Sequence, residues 1–365
     1  MAEPQAAAAP RPVTTNAAAK AATKTTPKTT AQTTAKAPPK TTPKTALKTT
    51  LKTGPRAGAR SASRSAQARA ELTGAASLAL RPVLEGSRRP ARVLAVFPLG
   101  AYLETRGPNE PRVVSLVTGE GTRLPNAIVL AEPLPPLAVG DEAAVGDGVV
   151  EAGRAVVRIR RWWDPTPALG LTEIPRLERA AVRLAELSTA SGRATGLDEG
   201  GFPAQLAAAC ANDSLLGALT AAEQLMGLGP GLTPSGDDML AGLLTALRHL
   251  GTAAGVERAV WLADWLAATV VFDAPTRTTP ISATLLHCAA KGQCCAEAAA
   301  VLRGIVGLQA LDAAVQRLLR LGHTSGADLT WGIRAGLSAV LALAHRDAGR
   351  VEEIAQAAVK GGLGE

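Results

Sequence analysis

One pattern occurs twice, about ninety residues apart, and it limits how this chain can pack. Ser235-Gly236-x-Asp238-x-x-x-Gly242 and Ser325-Gly326-x-Asp328-x-x-x-Gly332 carry the same four residues at the same four places. A glycine inside a helix costs about 1 kcal/mol relative to alanine. Keeping one a full turn after the Asp in both copies therefore points to close helix–helix contact on that face. Each Ser reads as an N-cap. Asp238 closes a capping box with Ser235, and Asp237 suits the positive end of the helix dipole. Together the copies predict two helix starts facing one cleft as a quasi-twofold pair.

Capping does not account for the glycines before the first copy. Gly227, Gly229, Gly231 and Gly236 fall within ten residues, and a Gly-Pro-Gly turn lies among them. Such a run lets backbone amides approach a ligand, as at helix-start anion sites. A third loop-to-helix junction lies between the copies, at Ala274-Pro275-Thr276-Arg277-Thr278-Thr279-Pro280-Ile281-Ser282. Thr279 before Pro280 reads as an N-cap with Pro at the first helical position. Arg277 offers a fork for a carboxylate or phosphate.

The predicted site follows from these three corners. Gly229, Gly231, Gly236 and Gly326 would supply amides. Thr233, Ser235, Thr278, Thr279, Ser282, Thr324 and Ser325 would supply hydroxyls, and Arg277 would clamp an anionic group. Asp238, Asp328 and His323 are the catalytic candidates, His323 as a proton carrier or ligand. Asp237, Asp238 and Asp328 oppose an anion, because two like charges a few ångströms apart cost about 4 kcal/mol at an effective dielectric near 20. Three resolutions stay open. The carboxylates turn away as caps, a hard cation such as Mg²⁺ held by Asp237 and Asp238 bridges them to the ligand, or they accept hydrogen bonds from an N–H-bearing ureido or carbamoyl group.

The rest of the chain divides by composition and period. Residues 1–70 hold eight Lys and five Arg against Glu3, a net +12, which leaves 26 bases against 30 acids in the remainder. The Ala/Thr/Lys/Pro tail, residues 1–72, has only three Leu and no aromatic residue. It cannot bury enough apolar area to offset backbone ordering and reads as disordered. The tail reads first as a solubilising extension; association with nucleic acid through it is a weaker third reading of function, and the mildly acidic body is not expected to bind nucleic acid. Residues 73–170 read as a β-rich module, with strands at 92–97, 102–105, 113–118, 127–131 and 149–162 between turn residues, a small barrel or sandwich. Residues 171–365 turn to helical spacing, with helices at 177–187, 203–219, 256–272, 296–306, 308–321 and 328–344. The fold class is therefore α+β, a small β-rich module before a larger α-helical one. With nine aromatic residues in 365, the helical core rests on Leu, Val and Ala.

Composition also excludes classes. Four cysteines are too few for a disulfide scaffold, and no uninterrupted apolar run of membrane-spanning length is apparent. A secretory signal is not expected either, because the basic start lacks an apolar stretch behind it, so a cytoplasmic location is expected. Cys288, Cys294 and Cys295 cluster near His287, but their spacing matches no common zinc pattern, and free cysteine is usually a small buried apolar residue.

The segments GPGLTPSGDD, TTPISATLL and GHTSGADLTWG, in this order, resemble the AllH-type subunit family of oxamate carbamoyltransferase, formerly a domain of unknown function with a carboxylase label. The resemblance spans roughly Arg92 to Ala344, including Leu124-Pro125-Asn126-Ala127. It implies a part in allantoin degradation, within purine catabolism, where carbamoyl-oxamate and phosphate give oxamate and carbamoyl phosphate. It also implies partner subunits, a small anionic or carbamoyl substrate, and phosphate. The alternative reading is a non-catalytic subunit that binds a small anion or regulates a partner. The resemblance supplies no catalytic residue map.

Overall fold

The structure is a computed structural model and describes residues 70–107 and 110–361. The tail, with the disorder expected of it and the weaker nucleic-acid reading, lies outside the described residues up to residue 69, as does part of the turn expected at 107–109.

Eight strands close into a barrel: β1 (Ala70–Ser77), β2 (Arg89–Phe97), β3 (Gly100–Thr105), β4 (Val113–Val117), β5 (Ala127–Leu130), β6 (Glu142–Gly146), β7 (Val149–Ala152) and β8 (Ala155–Trp163). Their order around the barrel is β1-β5-β4-β3-β2-β6-β7-β8. β1 runs parallel to β8 and antiparallel to β5, so no strand is left with a bare edge. Alternation drives the closure: Ala101, Leu103 and Thr105 of β3 turn inward and are buried while Tyr102 and Glu104 turn outward. Val93, Leu103, Val114, Leu116, Ile128 and Val157 fill the interior. A short helix, α1 (Arg81–Leu84), plugs one end with Val83 and Leu84.

Three features differ from the sequence reading. The strand expected over 149–162 is the hairpin β7–β8, turned at Gly153 with φ +55°. β6 was not expected at all. β1 begins inside the segment assigned to the tail, so Ala70–Leu72 are strand. The partners of β1 lie far away in sequence, on β8 and β5, and local pattern carries no trace of them.

Nine helices follow among the described residues: α2 (Ile174–Ala190), α3 (Gly201–Ala211), α4 (Leu215–Leu225), α5 (Ser235–Ala254), α6 (Glu257–Arg277), α7 (Pro280–Ala290), α8 (Ala296–Ile305), α9 (Leu311–Leu319) and α10 (Ser325–Gly361). The single helix expected over 203–219 is two, broken where Asp213 takes φ +57°. α5 is the hub. It buries Met239, Leu240, Leu243, Leu244, Leu247 and Leu250 against its neighbours and packs most extensively on α10. α10 has a stretch, Ser325–Arg350, long and apolar enough in length and composition to cross a membrane, which the sequence reading missed. The fold buries 67% of its apolar window, the mark of a core helix.

Backbone and side-chain bonds join the two modules. Val113 N donates to Thr284 Oγ1 of α7 at 3.2 Å, and the same hydroxyl donates to Glu110 Oε2 at 2.7 Å. Cys294 N and Ala296 N donate to the carbonyls of Pro165 and Arg123 at 3.2 and 3.1 Å.

Candidate active site at the crossing of two matched helix starts

The two copies of the pattern are structurally equivalent to a level of detail the sequence only hinted at. Each follows a helix–loop–helix corner, α4 to α5 and α9 to α10. In each, the first-turn glycine lies where a Cβ would run into a carbonyl of the preceding helix: Leu225 for Gly236, Leu318 for Gly326. Gly236 N donates to Leu228 O at 2.9 Å, and Gly326 N to Leu321 O at 3.0 Å. One turn later Gly242 and Gly332 lie back to back. A Cβ on Gly242 would collide with Leu329 O, and one on Gly332 with Met239 O. The four glycines therefore let α4, α5, α9 and α10 approach. This corrects the amide role expected of Gly236 and Gly326: their N–H groups are already bonded within the chain, and the space beside them holds backbone.

The serines are also placed differently. Pro234, extended at φ −53° and ψ 140°, takes the N-cap position, and Ser235 is the first helical residue with no capping bond from its side chain. The Pro234 carbonyl accepts from Asp237 N and Asp238 N, as the Thr324 carbonyl does from Ala327 N and Asp328 N. Released from capping, each hydroxyl crosses to the other copy. Ser325 faces Asp238, and Ser235 faces Asp328. Both carboxyl groups are buried, and the Oδ2 of each has no hydrogen-bond partner.

The three aspartates divide their roles. Asp237 is a clasp: its Oδ1 accepts from Gly227 N at 2.8 Å and its Oδ2 from the Thr278 hydroxyl. It thereby ties the glycine turn to the α6–α7 junction, with Ser282 beside it. Asp328 accepts from Gly196 N at 2.9 Å and anchors the loop after α2. Asp238 alone faces open space. Burial pushes all three carboxyls above the usual range, and Asp238 rises to about 8, with Asp328 and Asp237 adding to the rise against the Ser325 and Thr233 hydroxyls. Burial thus answers the repulsion the sequence posed: at neutral pH the Asp238 carboxyl holds its proton. Among the described residues, no group of three or more His, Cys, Asp and Glu side chains gathers to hold a metal.

Asp238 opens onto a cavity of about 300 Å³ between the helices and the barrel. Of the candidates, Thr233, Asp238 and Ser325 line it. Thr233 Oγ1 and Ser325 Oγ, from different junctions, are 3.2 Å apart. The third junction adjoins it: Thr279 Oγ1 donates to Leu232 O at 2.6 Å and caps α7 by accepting from Ser282 N at 3.1 Å. Ile281 and Leu285 of α7 form part of the wall. The three corners touch.

Other candidates lie elsewhere. Arg277 directs its guanidinium to Glu223 O at 3.2 Å and toward Asp273, and it does not line the cavity, so the expected anion clamp is absent from it. His323 is exposed, and its carbonyl accepts from Arg193 at 3.2 Å. Thr324 sits beside Asp328. Gly229 and Gly231, with φ +114° and +99°, shape the turn without reaching the cavity wall. Ser235, Asp237 and Asp328 are buried and do not line it.

The barrel supplies what the sequence reading missed. Phe97 and Tyr102, flanking the β2–β3 turn with ring centroids 5.9 Å apart, close one side with Leu124 and Pro125. Burial raises the Tyr102 hydroxyl to about 12, and the nearby Asp238 adds to the rise. Gln293, Cys294 and Cys295 complete the lining, and the Gln293 Oε1 is buried without a partner. Tyr102, the lone tyrosine of the chain, was the one available signal. Burial pushes Cys295 to about 12 and Cys294 well above the usual thiol range, so both are neutral apolar wall.

No solved structure matches the chain. Residues 225–337, from the end of α4 into α10 and so across all three corners, match the model of the family described as oxamate carbamoyltransferase subunit AllH, the family its motifs resemble.

Proposed function

We propose that this chain is an AllH-type subunit of an oxamate carbamoyltransferase, working with partner subunits, and that the cavity beside Asp238 holds its small carbamoyl- or carboxylate-bearing compound. One observation carries the reading: a proton-bearing buried carboxyl with an unpartnered oxygen, set in the wall of a largely apolar chamber. A neutral carboxyl offers an O–H donor beside a C=O acceptor. A carbamoyl or primary amide group offers the complementary C=O and N–H, so the two can join through paired hydrogen bonds. An ionised carboxylate can instead accept the Asp238 proton in a short, charge-assisted bond. This favours the N–H-bearing substrate among the three options the sequence left open.

Thr233 and Ser325 orient the Asp238 carboxyl, while Leu124, Leu285 and Leu329 present apolar surface around it. Asp238 would hold and orient the carbamoyl group, and the Gln293 amide and the Tyr102 hydroxyl are the other polar groups in reach. Catalysis of this kind works by positioning. Phosphate has no cation in this wall, so a partner subunit or the cavity mouth would supply its site. The four cysteines are free and buried, which fits a reducing compartment such as the cytoplasm. Placement in allantoin degradation rests on the family resemblance.

The test is thermal melting of the full chain with oxamate or with carbamoyl phosphate. A stabilisation in wild type that vanishes in Asp238→Ala and is altered in Asp238→Asn supports the site. No shift with either compound at about a hundred times a micromolar-to-millimolar Kd, or an equal shift in Asp238→Ala, overturns it. Carbamoyl transfer only after partner subunits are added, lost with Asp238→Ala, supports the subunit role. Full transfer with Asp238→Ala present assigns the chemistry to a partner.

A further inference from the structure

A second cavity, of about 320 Å³, opens on the far side of the Asp328 corner, between the loop after α2 and the first turns of α10. Its character is opposite to the first. Arg193, Thr195 and Glu199 line it from the loop, and Trp331 and Arg334 from α10. Arg334 is half-buried, and among the described residues no hydrogen bond or ion pair engages its guanidinium. Among the described residues the one protein acceptor for the Arg193 guanidinium is the His323 carbonyl, at 3.2 Å. Arg193 is exposed, and two guanidiniums lining one pocket offer charge-assisted donors to an anion.

The wall is built before any ligand arrives. Gly196 N is held by Asp328 Oδ1 at 2.9 Å, Thr195 Oγ1 donates to Leu197 O at 2.7 Å, and Arg193 N donates to Ser191 Oγ at 3.2 Å. The loop is therefore fixed to α10 by the same aspartate that pairs with Ser235. Trp331 is buried on α10 and offers a flat apolar side.

We propose that this pocket is a second ligand site of the chain, one that takes a small oxyanion, a carboxylate or a phosphate group, forked between Arg193 and Arg334. Glu199 sets the preference among such anions. Its carboxylate repels a multiply charged group and accepts from an N–H, so a carboxylic acid bearing an amide or amino nitrogen fits better than a bare dianion. The site stands on its own residues and does not depend on the chamber at Asp238.

The experiment is calorimetric titration of the full chain with three probes: inorganic phosphate, acetate and oxamate. Wild type, Arg334→Gln, Arg193→Gln and Asp238→Asn are compared at one low salt concentration, with melting curves to confirm that each variant is folded. The expected result is binding of oxamate ahead of acetate and phosphate, weakened about tenfold or more by Arg334→Gln and by Arg193→Gln, which is what loss of one charge-assisted fork implies. The part of the oxamate signal that the arginine variants remove should persist in Asp238→Asn, whatever that variant does to binding in the first cavity, and Glu199→Gln should narrow the gap between oxamate and phosphate. Binding by none of the probes at about 10 mM, or binding unaffected by both arginine variants, overturns the proposal. Oxamate binding lost only in Asp238→Asn also overturns it, while supporting the first cavity. Loss only in the arginine variants separates the two sites the other way.

Discussion

The two helix starts are near copies in their packing and unlike in what their aspartates do. In both, a glycine admits the carbonyl of the preceding helix, a second glycine admits the partner helix, and a serine reaches across to the other copy. The first copy has an extra residue, Asp237, that takes over the structural duty of tying down the adjoining loops. The second lacks it, with Ala327 in that place, and there Asp328 itself anchors a loop. Asp238 is thereby left free to face a cavity. A pair of matched corners can thus carry one site, provided that one copy recruits a neighbour for the mechanical work.

The comparison can be broken most forcefully at the back-to-back glycines. Gly242→Ala and Gly332→Ala should each destabilise the fold by about 3 kcal/mol or more, since a Cβ there meets backbone that cannot step aside, and the gain of about 1 kcal/mol in helix propensity does not offset it. Denaturant titration should return similar costs for the two variants. A large asymmetry between them would show that the quasi-twofold packing is superficial.

A pH series sharpens the difference between the aspartates. The folded-state pKa of Asp238, about 8, lies above the ordinary value of 3.8, so the folded protein binds this proton more tightly than the unfolded chain. Its contribution is full below about pH 4 and is lost progressively as the pH climbs to about 8. Asp238→Asn should remove that share of the slope and become the more stable protein at pH 9, by an amount on the order of a few kcal/mol. Asp328→Asn keeps the part of the Asp238 slope that burial causes, loses the part that the Asp328 charge adds, and gives up a carboxylate that anchors Gly196. Equal pH profiles for the two variants would count against Asp238 being the exceptional one. The smallest effect belongs to the third corner. Thr279→Ala removes a side-chain cap and should cost about 1 kcal/mol in the same denaturant measurement.

How much of this was legible in the sequence depended on the range of the forces involved. The Thr279-Pro280 cap and the pairing of the two motifs could be read because each is a local steric or capping requirement. The break at Asp213 was missed because a left-handed residue other than glycine has no strong local signature. The serines misled: a Ser at a helix start ordinarily caps it, and only a partner corner ninety residues away could draw the hydroxyl elsewhere. Arg277 misled for the same reason, since the nearby Glu223 carbonyl gave it another partner.

What the chain dictated by itself was a change of period near residue 174, a helical core of Leu, Val and Ala, and two glycine-marked helices bound to cross. What needed the tertiary structure was which of three adjacent carboxylates would face a cavity, and that the barrel would lend Tyr102 and Phe97 to close it. Helical period and glycine contacts are set by neighbours a few residues away. Burial of a carboxyl, and with it the charge it carries, is set by everything that folds over it.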